Sequence, residues 1–174
     1  MAEPLAKITP VTDLGMVLIR ADLASSGDAL VEAVGLPVPD VLRFTSDGTR
    51  DLFWFSPDEL LLTLPLDQLD QAVQDAEQAL MGAHGLVLDV SDMRCVYDVI
   101  GPYADDVLMK LTPADVAAMG ADHIRRSRLA QVAAGFWRIN GGWRVIAFRS
   151  VADYVATILK NAATPGTQLA PRLS

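Results

Sequence analysis

Two continuous apolar runs, Leu52-Phe53-Trp54-Phe55 and Leu60-Leu61-Leu62-Thr63-Leu64, are joined by Ser56-Pro57-Asp58-Glu59. Proline presets φ in that linker and aspartate supports the bend, so the segment predicts a β-hairpin. Runs without polar alternation suit strands covered on both faces. Residues 67–81 follow at once. Their Leu69, Val73, Ala76 and Leu80 repeat at four, three and four residues, which places them on one helical stripe. Asp67 is the expected N-cap and Gly82 the expected stop.

A second passage repeats the plan. Asn140-Gly141-Gly142 is a turn signal that needs positive φ, and it separates apolar strands at 136–139 and 143–148. A helix follows, with Ser150 as its expected cap and an inner face of Val151, Tyr154, Val155, Ile158 and Leu159. Further strands are expected at 13–21, 86–90, 95–100 and 129–134. A short helix holding Leu30, Val31 and Val34 would be capped by Ser26 or Asp28 and ended by Gly35. Pro102 suits the first turn of a helix carrying Ala104, Val107, Leu108 and Leu111. Thr112-Pro113 would open a helical piece running to Met119. Helices thus alternate with hairpins rather than single strands, which argues for an α+β fold with mostly antiparallel sheet and packed helices. The two hairpin-then-helix passages suggest a duplicated unit, although no repeat shows in the letters. Residues 1–10 are expected to form a flexible arm, 11–163 a single α+β domain and 164–174 a flexible tail.

The chain has 174 residues, enough for one domain with a sizeable core. It is 51% hydrophobic, which leaves two readings open: Ala and Leu fill helices, or apolar surface is buried against a partner. A net charge of −8 argues against nucleic acid and against an anionic membrane surface. Cys95 stands alone, so neither an intrachain disulfide nor a cysteine zinc site is expected, and a reducing compartment fits. The first residues lack the pattern of a secretory signal, and the apolar run at 60–66 is too short to span a bilayer. The cytoplasm is the expected location.

Chemistry is sparse in the letters. His84 and His123 form no metal-binding spacing, no glycine-rich phosphate loop is present, and no serine sits in a nucleophile elbow. Cys95 lies in an apolar strand, where a thiol is usually a packing group. No catalytic, cofactor-binding or metal-ligating residue is therefore assigned. Asp89 and Asp98 adjoin or interrupt strands, and Arg94 is a candidate partner for a buried carboxylate. One asymmetry stands out: residues 123–149 hold Arg125, Arg126, Arg128, Arg138, Arg144 and Arg149 and no acid. Arginine suits bidentate recognition of carboxylate or phosphate. In order of preference, the segment pairs with the chain's own acids, docks an acidic partner surface, or holds an anionic ligand.

Several stretches resemble one family. Trp54-Phe55-Ser56-Pro57-Asp58-Glu59-Leu60-Leu61-Leu62 is similar to a W-L-G-P-D-E-W-L-L stretch of sarcosine oxidase gamma subunits, and Leu88-Asp89-Val90-Ser91 resembles their V-D-V-S strand end. The Gly101, Ala104, Leu108 spacing is similar to their G-x-x-A-x-x-x-L helix, followed here by Pro113-Ala114-Asp115. Arg126-Ser127-Arg128-Leu129-Ala130-Gln131-Val132 and Phe148-Arg149-Ser150-Val151-Ala152-Asp153-Tyr154-Val155 resemble the closing strand and the R-S-x-x-x-Y helix start. The resemblance runs in order from about residue 52 to 163. It departs where Asp92 replaces a frequent histidine and where Phe55 and Ser56 replace Leu and Gly.

The resemblance implies a domain like those of the folate-binding aminomethyltransferase (glycine cleavage T-protein and YgfZ-like) superfamily. It implies a structural gamma chain beside alpha, beta and delta subunits, in a heterotetramer that demethylates sarcosine oxidatively. Glycine is released, hydrogen peroxide is formed and the one-carbon unit passes to tetrahydrofolate. FAD, FMN, NAD and tetrahydrofolate are then expected on other subunits and none on this chain. In isolation a self-dimer could replace the natural interface. The alternative reading is a stand-alone folate-binding module, with the arginine segment meeting folate carboxylates.

Overall fold

A computed structural model describes residues 3–169, which group into two compact units. The first expectation on the arm and the last on the tail fall partly on residues 1–2 and 170–174, outside the described residues.

One unit comprises Thr12–Met93 with Asp122–Ile124. Its order is β2 (Leu14–Ala21), α1 (Leu23–Val34), β3 (Phe44–Ser46), β4 (Asp51–Ser56), β5 (Glu59–Pro65), α2 (Leu69–Ala79) and β6 (Gly85–Asp89). These strands make an antiparallel sheet of order β3-β4-β5-β2-β6. The predicted hairpin is present, and Ser56 pairs with Glu59 across Pro57 and Asp58. Leu60, Leu62 and Leu64 pack with Val17 and Ile19 beneath Leu30 and Val34 of α1 and Leu69, Ala76 and Leu80, of which Leu69 and Ala76 lie on α2. Leu61 and Thr63, on the opposite face, are 0% and 2% exposed. That is why the run shows no polar alternation.

The other unit is built from the described residues up to Val11, Arg94–Ala121, and Arg125 onward. It holds β1 (Lys7–Val11), β7 (Arg94–Ile100), α3 (Ala104–Met109), β8 (Ile124–Leu129), β9 (Val132–Ile139), β10 (Gly142–Phe148) and α4 (Ala152–Ala162). Its sheet order is β1-β7-β10-β9-β8. Reading β7 as β2, α3 as α1 and so on through α4 as α2, the two units share one topology. The match closes only because β1 takes the place that β6 holds in its own unit. The duplication expected from the hairpin-then-helix passages is thus real in topology. The core gathers Val99, Phe136, Trp143, Val145 and Ala147 under Val107, Leu108, Val155 and Leu159. Trp143 meets Phe136 edge to face, with centroids 6.1 Å apart.

Several local expectations change. Residues 7–11 are strand rather than arm, because β1 pairs with β7 along its length, and Leu5 just before it is buried. Residues 164–169 are tied down: Lys110 Nζ donates to Thr167 Oγ1 at 2.8 Å and the Leu169 N–H donates to Asp106 at 3.0 Å. The cap of α1 is Asp22, whose Oδ1 accepts from the Ala24 N–H, rather than Ser26 or Asp28, which lie within the helix. Gly35 does end it, at φ 74°. Asp67 and Ser150 make no cap hydrogen bond; each sits in a 3-10 turn that precedes its helix. Residues 112–119 are not helical. The strand expected at 129–134 is instead split between β8 and β9 by Ala130, at φ 51°.

Arg50 fastens the β3–β4 loop. Its Nη1 donates to the Val34 carbonyl at the end of α1, and its Nε and Nη2 grip Asp47 at 2.9 and 2.8 Å. The backbone N–H of Arg50, then that of Thr49, then the Arg50 guanidinium hold the Asp47 carboxyl down from its usual 3.8 to about 2. A depressed folded-state pKa stabilises the fold fully above the usual value, and the contribution is lost as pH falls through about 2. An NMR titration should therefore find the Asp47 midpoint near 2. In Arg50→Ala it should rise only part of the way to 3.8, because the backbone donors remain.

Gly142 presents a second check. It pairs with Ile100, and a Cβ there would drive into the Val99 carbonyl. Gly142→Ala should destabilise the protein by about 1–3 kcal/mol, the usual range for overpacking. Gly142→Ala with unchanged urea midpoint would show that the β7–β10 ladder yields.

Candidate functional site

The arginine segment is the charge asymmetry singled out by the sequence, and the structure divides it. Arg125, Arg126 and Arg128 lie on β8, Arg138 on β9, Arg144 on β10, and Arg149 at the head of the 3-10 turn before α4. They do not converge on one point, because five are spread over three strands and both faces of one sheet and Arg149 follows β10.

Arg138 lies on the face that carries α3. Its Nη1 and Nη2 reach Asp105 Oδ1 and Oδ2 at 3.2 Å each, and its Nε and Nη2 donate to the carbonyls of Met119 and Val116. The guanidinium also stacks on Trp143, 4.3 Å from the ring centroid, while Trp143 Nε1 donates to Asp105 Oδ1 at 2.7 Å. One arginine thereby fixes the non-helical segment 112–119 against the sheet. Arg144 points to the opposite face and makes a bidentate pair with Asp98, at 2.7 and 2.9 Å. The preferred reading, pairing with the chain's own acids, holds for these two. Arg125, Arg126, Arg128 and Arg149 are exposed.

The other candidates have structural partners. Asp98 pairs with Arg144 rather than with Arg94, whose guanidinium lies over the Phe148 ring at 4.1 Å. Asp89 accepts from the N–H and hydroxyl of Ser91, at 2.9 and 2.6 Å, and Ser91 in turn accepts from the Met16 N–H. Asp89 therefore bends the chain after β6. Cys95 directs its thiol at the Ala147 carbonyl, and burial pushes its pKa up, away from the thiolate a nucleophile needs. Among the described residues no group of three or more His, Cys, Asp or Glu could hold a metal ion, and no helix is long and apolar enough to cross a membrane.

One open groove, of about 890 Å³, was not foreseen. It is lined by Arg20, Asp22, Pro57, Asp58, His84 and Leu86. Arg20 donates to Asp58 at 2.6 Å, so the groove's cation is already matched by a carboxylate. The hydrogen bond from Ser56, then that from Arg20, hold Asp58 below the usual carboxylate range. Only the spatial meeting of β2, the β4–β5 turn and the start of β6 assembles this lining, and no sequence motif marks it.

The model of the "Sarcosine oxidase, gamma subunit family" matches residues 20–165. The sarcosine oxidase subunit gamma of Corynebacterium sp. (strain U-96) is 31% identical over 92% of this chain and 79% of its own length. That of Arthrobacter sp. is 33% identical over 79% of this chain and 68% of its own. Among solved structures, a chain of heterotetrameric sarcosine oxidase from Corynebacterium sp. U-96, in complex with pyrrole 2-carboxylate, superposes with a TM-score of 0.86 at 28% identity. The match covers 94% of this chain and 86% of that one. Glycine cleavage system aminomethyltransferase T from Bartonella henselae shares the fold, with a TM-score of 0.67 at 15% identity over 91% of this chain and 46% of its own.

The division of the arginines is measurable as stability. Arg138→Ala removes a charge-assisted pair and two carbonyl contacts, so it should lower unfolding free energy by about 2 kcal/mol. Arg125→Ala, on the exposed edge, should stay within about 0.5 kcal/mol of the parent. Equal urea midpoints for the two variants would show that Arg138 has no special structural role.

Proposed function

The chain belongs to the sarcosine oxidase gamma subunit family, and we propose on that premise that it is the gamma subunit of a heterotetrameric sarcosine oxidase. The observation that carries the reading is the agreement of one stretch by two routes. The family match spans residues 20–165, and the superposition on a chain of a heterotetrameric sarcosine oxidase covers 94% of this chain. The assembly would oxidise sarcosine to glycine, pass the one-carbon unit to tetrahydrofolate and reduce oxygen to hydrogen peroxide. FAD, FMN, NAD and tetrahydrofolate would sit on the alpha and beta subunits, with delta completing the four.

This chain's role would be structural. The two carboxylates that were candidates for chemistry are engaged in holding the fold, Asp98 by Arg144 and Asp89 by Ser91, and Asp105 is held likewise by Arg138 and Trp143. The alternative of a stand-alone folate-binding module drew on arginines free to meet carboxylates, and Arg138 and Arg144 already have theirs.

Co-expression with the other three subunits tests the reading. The chain should co-elute with the flavin-containing fraction and release no heat when titrated alone with tetrahydrofolate. Elution of this chain by itself, beside an active assembly of the other three, would overturn it.

A further inference from the structure

We infer that the outer edge of β6 receives an extended segment of a partner subunit in which apolar and basic residues alternate. The inference rests on the reading above and names the part of the surface that would serve it.

β6 ends its sheet, with β2 on its inner side. Among the described residues, 85–88 make no hydrogen bond outside the ladder with β2. The other sheet edges are blunted. β3 has three residues, and β1 carries Lys7 and Pro10. At β8 the N–H groups of Ile124 and Ala130 already donate to the carbonyls of Leu42 and Leu111. Short strands, proline, lysine and covering loops are the usual protections of an edge. β6 runs for five residues, Gly85-Leu86-Val87-Leu88-Asp89, with neither proline nor lysine.

Each face of this edge has its own chemistry. Leu86 and Leu88 pair with Arg20 and Leu18, opposite the face on which Val17 and Ile19 meet the helices. They are 46% and 41% exposed. Arg20, next to Leu86 in the sheet, is matched by Asp58. The other face lies under α2, which packs on β6 and β2. Ala72 and Asp75 of that helix border a cavity shared with Ala33 and Val34 of α1. Helical periodicity puts Asp70 and Glu77 on the opposite flank, beside Val73, which packs on the same core as Val87 of β6. Asp70, Glu77 and Asp89 are exposed, and residues 51–93 contain no lysine or arginine.

An added strand would extend the backbone ladder and set apolar side chains beside Leu86 and Leu88. Its alternate positions would face Asp70, Glu77 and Asp89, where basic side chains are attracted. The same acids select against a second copy of this chain. Pairing β6 with β6 would bring two α2 flanks together, each with Asp70 and Glu77, and like charges repel.

The test co-expresses the four subunits at graded levels of this chain and reads how much of it co-elutes with the flavin-containing fraction. The chain is wild type, Leu86→Lys/Leu88→Lys, Asp70→Lys/Glu77→Lys, or Asp28→Lys/Asp115→Lys. The last makes the same change in net charge as the α2 pair, at exposed sites on α1 and in segment 112–119. Circular dichroism and urea midpoints of each isolated chain establish that it folds; if the leucine pair does not, the α2 pair, which leaves β6 intact, decides. The expected result is an apparent affinity about tenfold or more weaker for the leucine pair and for the α2 pair, with the control within twofold of wild type. Assembly of the leucine pair at wild-type affinity overturns the assignment of β6 while leaving the gamma-subunit reading intact. Wild-type affinity of the α2 pair overturns the basic character of the occupant, and equal weakening by the control overturns the assignment because net charge would explain it. Light scattering should find the isolated wild type monomeric; a dimer that the leucine pair dissolves gives the edge to a second copy and overturns the inference. Failure of wild type itself to assemble removes the gamma-subunit reading, and the inference with it.

Discussion

The unit that contains β7 through β10 depends on a strand from the beginning of the chain. β1 pairs with β7 from Lys7 opposite Ile100 to Val11 opposite Val96. Leu5, just ahead of it, donates its N–H to the Ala163 carbonyl and accepts from the Tyr103 N–H. The two termini of the described chain are thereby held to the same sheet. Gly101 reflects how closely they pass, since a Cβ there would come within 2.7 Å of the Ala6 Cα. Nesting residues 12–93 between β1 and β7 lengthens the loop that this pairing closes, but the entropy of closure grows only with the logarithm of loop length. The long stretch 12–93 can therefore be accommodated inside the connection without dissolving the β1–β7 ladder.

Within that sheet the ionisable residues are arranged by what each face can tolerate. Arg138 and Asp105 meet on the helix face, with the aromatic surface of Trp143 beneath the guanidinium. Asp98 and Arg144 are cross-strand neighbours on the other face and satisfy each other with two parallel hydrogen bonds. In both cases a charge inside a largely apolar strand is matched by a carboxylate in fork geometry, which reduces the cost of removing it from water. Lys110 plays a related part at the end of α4, donating to the Ala162 carbonyl near the negative end of the helix.

The hairpins could be read from the letters because their turns carry the chemistry. Pro57 with Asp58 and Asn140 with Gly141 specify bends whatever the rest of the chain does. β8 could not, because Arg125-Arg126-Ser127-Arg128 has neither apolar alternation nor β-branched residues. It is a strand because β9 pairs with it. The apparent helix start at Thr112-Pro113 failed for the opposite reason: the local signal was present, but Arg138 holds the carbonyls of Val116 and Met119 in a different path. Of the six arginines, the letters showed that no acid lies nearby in sequence, but not that Arg144 meets Asp98 or Arg138 meets Asp105, which lie earlier in the chain. Which arginine meets which of these acids depends on strand register, and no local window contains it.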